Sequence, residues 1–180
     1  MLINNMQITK HVESLVQKEY FFIKGKIKIN PEYFISKIEE GIQSKDNLNF
    51  KTNVLGSMTR WDFFNKDPEF QKIIIQLINY VEQKNLATGR YKLKDAWGIK
   101  EGYGDRTLEH NHSKDLFSGI VYLNDIDSPL IFPQIKETIY PEVGGFAVFS
   151  GFLNHKTEGR ILEFKNKYAV VFNVSEVVDY

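Results

Sequence analysis

Two of the chain's four histidines, His110 and His112, stand one residue apart in the stretch LEHNHSKDLFSGIVYLN, which runs from Leu108 to Asn124. Residues i and i+2 of an extended chain point to the same side, so at a strand end these two imidazoles can converge on one point. That is metal-ligand geometry. A third histidine, His155, follows the run GGFAVFSGFLN near another strand end, and a jelly roll can bring such distant ends together at its mouth. Taken alone, a His-X-His is more often a polar strand terminus, and a lone His155 a loop residue. The remaining histidine, His11, falls on the polar side of a helical pattern and reads as exposed.

The composition narrows what such a cluster can hold. The chain has no cysteine, which excludes a disulfide framework and a thiolate metal site, so any metal must be bound by His, Asp or Glu. Lysine and arginine total 23 and aspartate and glutamate also total 23, so charge gives no general argument for nucleic acid or an anionic membrane as partner. With 180 residues, 42% hydrophobic and 14% aromatic, the chain suits a single domain with a substantial core. Neither a signal-peptide core nor an apolar run of about 18 residues is present, which predicts a cytoplasmic protein with no membrane partner.

The elements that must position the histidines change character once along the chain. Ile8, Val12, Leu15 and Val16 fall at helical spacing and predict a first helix, followed by an extended segment over YFFIKGKIKI. Asn30-Pro31 and Asp67-Pro68 are cap and first-turn signals for two further helices, with stripes of Phe34, Ile38 and Ile42 and of Phe70, Ile74, Ile78 and Val81. These helices are expected to cover one face of a sheet. From about Tyr91 onward short β-rich runs alternate with Gly, Pro, Asn and Asp: YKLKDAWGI, FSGIVYLN, PLIFP, GGFAVFSGF and KYAVVFNVSEVV, a spacing that argues for a sandwich or barrel. No repeat or linker separates the halves, so residues 1–90 are read as a helical layer with a lid region and residues 91–180 as the β core of one domain. The polar and aromatic tract TNVLGSMTRWDFF is expected to be a loop over the pocket mouth, with Thr59, Arg60 and Trp61 as substrate contacts. The glycines of GYGD mark a structural turn.

The order Trp97, Gly104, His110-Asn111-His112, Ser118 to Tyr122, Pro141 to Gly144, FAVF, His155 and Lys167 to Asn173 resembles the iron(II)- and 2-oxoglutarate-dependent oxygenases. Within them it is most similar to small oxygenases common in phage and marine bacterial genomes. Each motif is loose; their order and spacing over roughly Trp97 to Val174 carry the resemblance. It implies a mostly β fold with N-terminal helices, an α+β arrangement built on a double-stranded β-helix of the jelly-roll, cupin-like kind. It implies iron(II), 2-oxoglutarate and O2 as cofactors, with ascorbate as a stimulant, and a metal held by His110, His112 and His155.

The wider family has His-X-Asp at the first pair, and His112 occupies the place of that carboxylate. Three neutral imidazoles leave the iron formally dicationic, which weakens metal retention but attracts a dianionic co-substrate. Asp115 is the competing third ligand, although it is not at i+2 from His110, and Glu109 would face the other side of a regular strand. By the same resemblance Lys167, twelve residues beyond His155, would bind the distal carboxylate of 2-oxoglutarate, with Arg160 as its competitor. Tyr122 resembles the strand tyrosine whose hydroxyl meets that carboxylate, and Asn173 either faces the pocket or bridges strands. The activity implied is hydroxylation of a small molecule or side chain with release of succinate and CO2, since a ligand at His112 leaves no place for a halide. Two other readings stay open: a cupin-like metal enzyme that does not use 2-oxoglutarate, and a non-catalytic binding module on the same fold.

Overall fold

The computed structural model describes residues 7–12, 19–47, 52–159 and 165–177. Helices form where the capping signals stand: α1 spans Pro31–Gln43 and α2 spans Pro68–Gln83. Asn30 Oδ1 accepts from the Tyr33 amide and Asp67 Oδ1 from the Phe70 amide, so each cap satisfies one of the N–H groups that a first turn leaves unpaired. Proline follows each cap, where a missing N–H costs nothing. Of the two stripes, Phe34, Ile38, Phe70, Ile74 and Val81 are buried in one core with the sheet beneath them, joined by Leu77, while Ile42 and Ile78 pack against it partly buried.

The strands are β1 (Gln7–Val12), β2 (Glu19–Lys26), β3 (Ser57–Met58), β4 (Tyr91–Glu101), β5 (Phe117–Tyr122), β6 (Leu130–Phe132), β7 (Glu137–Ile139), β8 (Gly145–Ser150), β9 (Lys156–Thr157) and β10 (Lys167–Glu176). They form a larger sheet in the order β1-β2-β8-β5-β10-β4-β3 and a smaller one in the order β7-β6-β9, with every pairing antiparallel. Period-two alternation then sorts the side chains between two cores. Phe21, Ile23, Phe117, Val121, Phe146, Val148, Val170 and Phe172 face the helices. Phe22, Trp97, Ile99, Ile120, Tyr122, Ala147, Phe149 and Ala169 face the smaller sheet and meet Leu130 and Phe132. Strands β5 and β8 are buried on both faces, which is why FSGIVY and GFAVFS read as nearly continuous apolar runs, broken only by Ser118 and Ser150. Two antiparallel sheets enclosing a second core, with helices backing the larger one, make the double-stranded β-helix the sequence predicts.

Two glycines are fixed by close approach. A Cβ on Gly98 would lie 2.3 Å from Ile38 Cγ1, so its absence lets α1 settle on β4. Gly144 closes the Pro141 turn at φ +77° and would put a Cβ 2.2 Å from the Ile27 carbonyl oxygen.

The chain start departs from expectation. In place of a helix beginning at Ile8, residues Gln7–Val12 form β1, paired with β2 from Gln7↔Lys24 to Val12↔Glu19. A spacing of four is compatible with the strand period as well as the helical one, and backbone pairing to β2 decides for the strand. Leu15 and Val16, which made the pattern look helical, lie outside the described residues. The extended segment expected over YFFIKGKIKI is β2, and it joins the first half of the chain to the sheet built by the second through β8.

Candidate metal centre and its cavity

The backbone brings the three histidines together before any metal is considered. His110 and His155 form an isolated antiparallel bridge: the His110 amide donates to the His155 carbonyl at 3.1 Å, and the His155 amide donates to the His110 carbonyl at 2.9 Å. The His112 amide donates to the Gly151 carbonyl at 2.6 Å. These bonds tie the segment before β5 to the turn after β8, so residues 43 to 45 positions apart in sequence become neighbours. Their rings follow, with centroids 4.4 Å apart for His110 and His155, 4.9 Å for His110 and His112, and 5.3 Å for His112 and His155. One ring nitrogen from each lies within 4.8 Å of the others.

Hydrogen bonding fixes the tautomers of two of them. His110 Nδ1 lies 2.7 Å from the Leu108 carbonyl and His155 Nδ1 lies 3.0 Å from the Leu153 carbonyl. A carbonyl can only accept, so each Nδ1 carries the proton and each Nε2 keeps its lone pair, the arrangement that outer-sphere carbonyls impose on ligating imidazoles. Burial, reinforced by the neighbouring His110, lowers the His112 pKa to about 4 and the His155 pKa to about 3; burial also lowers that of His110. All three are neutral near pH 7 and able to ligate. Asp115 lies apart from this set. Its carboxylate accepts from Lys94 Nζ at 2.9 Å and from Ser175 Oγ at 2.8 Å.

The histidines line a cavity whose walls are Val54, Trp97, Ile99, Ile120, Leu130, Phe149 and Val171, with Thr107, Thr157 and Lys167 as its other polar residues. The inward phase of β10 puts Lys167 into it. Lys167 is 1% exposed and stands directly across from Glu101 in the β10–β4 register, and its Nζ donates to Glu101 Oε2 at 2.8 Å. Thr107 Oγ1 donates to the other oxygen of Glu101 at 2.6 Å. Lys167 Nζ also lies 5.9 Å from the Tyr122 ring centroid. Tyr122 is fully buried and its hydroxyl has no hydrogen-bond partner; the same holds for the Trp97 indole N–H. Burial and then the Glu101 charge push the Tyr122 phenol up, so that hydroxyl remains a neutral donor.

Other expected residues fall elsewhere. Ser118 Oγ donates to Asn173 Oδ1 at 2.7 Å across the β5–β10 register, so Asn173 bridges strands. The tract expected as a loop over the mouth is instead pinned to the sheet: β3 pairs with β4, Val54 bridges Thr107, and fully buried Thr59 accepts from the Gly98 amide. Trp61 packs edge-on against Trp97 at 4.6 Å, and Arg60 pairs with Asp62. Of this tract Val54 lines the cavity. Arg160 lies outside the described residues. Sequence reasoning passed over Glu101 and Thr107, which hold Lys167 and the cavity floor together.

No family model matches the chain, and no curated protein matches it by sequence. Solved structures do match. The chain is similar to a viral collagen prolyl hydroxylase from Paramecium bursaria Chlorella virus-1, solved with 2-oxoglutarate, at TM-score 0.66 and 16% identity over 87% of this chain and 96% of that one. It is similar to a prolyl-4-hydroxylase from Pseudomonas putida at TM-score 0.66 and 11% identity, covering 87% and 93% of the two chains. It is also similar to HygX from Streptomyces hygroscopicus, solved with nickel and 2-oxoglutarate, at TM-score 0.62 and 12% identity, covering 86% and 82%. At these identities the likeness is one of fold. Among the described residues no helix is long and apolar enough to cross a membrane.

Proposed function

We propose that this protein is an iron(II)- and 2-oxoglutarate-dependent oxygenase that hydroxylates a small molecule or a side chain. The observation that carries the proposal is the group of three neutral imidazoles, two with Nδ1 tied to carbonyls, in the cavity that also receives a buried lysine. The fold shared with 2-oxoglutarate-binding proteins supports it. His110, His112 and His155 would hold the metal through one nitrogen each, a three-ligand set that leaves positions open for co-substrate and oxygen. Bound there, iron(II) and 2-oxoglutarate would let O2 act as the oxidant, one of its oxygen atoms entering a substrate C–H to give C–OH and the other entering the succinate that is released with CO2.

The chain's own groups do the rest. The apolar walls exclude water from the metal face, which strengthens every charge interaction inside the cavity. Lys167 Nζ, with two N–H groups beyond the one given to Glu101, would receive the distal carboxylate of 2-oxoglutarate, and the unpartnered Tyr122 hydroxyl would donate to the same group. Orphaned buried donors beside a cation are what a carboxylate requires.

One observation favours a second reading. Lys167 is already paired with Glu101, which reduces its pull on an added anion, and a cupin-like metal enzyme that uses no 2-oxo acid would need no free cation. Incubation with iron(II), ascorbate, O2 and 2-oxoglutarate separates the two. Succinate formed in step with CO2, and lost in His110→Ala, supports the oxygenase; metal bound without any succinate supports the alternative.

A further inference from the structure

Glu101 is the least expected group behind the cavity, where it pairs with Lys167 of the lining. It is 0% exposed, it ends the inward-facing series Trp97, Ile99, Glu101 on β4, and its two oxygens are taken by Lys167 Nζ and Thr107 Oγ1. The groups facing it from the elements packed around it are Lys167 from β10, Thr107 from the segment after β4 and the neutral Tyr122 phenol from β5. Gly56 approaches it from the β3 side, where a Cβ would meet Glu101 Cα and Cγ at 3.2 Å. Among the described residues no second cation is bonded to it. Lys167 at the cavity floor and Glu101 behind it therefore form an electrically balanced pair.

A carboxylate delivered to Lys167 would make two carboxylates share one buried ammonium behind largely apolar walls. Like charges held that close cannot both stay ionised without large cost, and two carboxylates sharing a site keep a proton between them. On the reading that 2-oxoglutarate is the co-substrate, we infer that Glu101 makes its capture proton-coupled: one proton enters from solvent with the distal carboxylate and is shared between that group and Glu101. The charge balance closes. Before binding the site carries one ammonium and one carboxylate; afterwards it carries one ammonium, two carboxyl groups and one added proton, and no other bond forms or breaks. Thr107 and Tyr122 remain as donors to the remaining oxygens. Glu101 is then a specificity-determining residue, because the charged distal end of a dicarboxylate incurs a proton requirement that a shorter 2-oxo acid does not.

The test is calorimetric titration of manganese(II)-loaded protein with 2-oxoglutarate and with 2-oxobutyrate, which carries the same chelating end but no distal carboxylate. Each titration is run in phosphate and in Tris, whose different ionisation heats reveal protons taken up. For 2-oxoglutarate we expect uptake approaching about one proton per molecule bound at about pH 6.5, and affinity that weakens by up to about tenfold per unit as pH rises. For 2-oxobutyrate we expect no uptake. In Glu101→Gln, whose carbonyl oxygen can accept from Lys167 while its amide group donates to Thr107 Oγ1, 2-oxoglutarate should bind without proton uptake and with nearly constant affinity across that range. Wild-type protein that binds 2-oxoglutarate without proton uptake, or takes up as many protons with 2-oxobutyrate, overturns the inference while leaving the co-substrate intact. If neither 2-oxo acid binds, the co-substrate reading fails and this inference goes with it.

Discussion

His110 and His155 exchange backbone hydrogen bonds of 3.1 and 2.9 Å, so the two imidazoles are held as neighbours by the main chain rather than by a metal. His112, two residues on, is fixed in turn by its amide bond to Gly151. A ligand set preorganised in this way should survive loss of the ion. Metal-free protein is therefore expected to keep its fold, and His110→Ala or His155→Ala should lower affinity for iron(II) or manganese(II) by more than about a hundredfold, beyond what outer-sphere changes cause. Equilibrium dialysis with metal analysis measures this, and either variant holding stoichiometric metal would contradict the assignment.

On the proposed reading, His112 stands where the 2-oxoglutarate oxygenases that the sequence resembles carry a carboxylate. His112→Asp should restore that ligand type, keep metal bound and retain succinate formation, whereas His112→Leu should lose both. Asp115→Asn should leave bound metal unchanged, because that carboxylate is engaged by Lys94 and Ser175. Metal lost in Asp115→Asn and kept in His112→Leu would exchange the roles of the two residues.

Lys167→Met removes a cation and leaves Glu101 buried beside Thr107 alone, so two effects are expected. Stability should fall by about 3–5 kcal/mol, the cost of an uncompensated buried charge. The double variant Lys167→Met with Glu101→Gln should regain most of that stability, since no lone charge remains. Neither should bind 2-oxoglutarate well: losing a charge-assisted hydrogen bond of about 1.5–3 kcal/mol weakens affinity by at least about tenfold. Arg160→Met should do much less. Urea midpoints and binding titrations on the four proteins separate these effects, and a double variant that binds normally would remove Lys167 from the site.

The buried histidines predict an acid-sensitive fold. In the unfolded chain an imidazole takes up its proton below about pH 6.5, whereas burial delays this to about 4 for His112 and about 3 for His155. Between those values the unfolded state binds more protons, so stability is fully present above about pH 6.5 and is lost as pH falls toward the folded-state values. The urea midpoint of metal-free protein should drop between pH 7 and pH 5, and drop less in His112→Leu. An equal drop in both would assign the acid sensitivity to other groups.

Much of this site is legible in the sequence because strand alternation is strict. His110 and His112 share a side, and the same rule carries Lys167, Ala169, Val171 and Asn173 to one face of β10, where the first three border or fill the inner core. Glu101 escapes such reading. In GIKEG it looks like one more solvated charge at a strand end, and only its phase with Trp97 and Ile99 turns it inward. Its partner lies 66 residues away, a pairing set by the β4–β10 register and by nothing local. The segment Gln7–Val12 resists reading for the opposite reason: its spacing fits both periods, and the pairing with β2 that settles it is a tertiary contact. Likewise the tract around Thr59 lacks a period, but its backbone bonds to Gly98 and Thr107 tie it down.

We propose that three neutral imidazoles hold a metal with open positions beside a carboxylate-binding lysine. The most direct test is a crystal structure with manganese(II) and N-oxalylglycine, a stable mimic of 2-oxoglutarate. The ion is expected to be bound by one nitrogen each of His110, His112 and His155, that nitrogen being Nε2 for His110 and His155. The mimic is expected to chelate the ion from the open side, with its distal carboxylate on Lys167 Nζ and Tyr122 Oη. A metal ligated by Asp115 or by fewer than three of these histidines, or a mimic seated away from Lys167, would contradict the proposal.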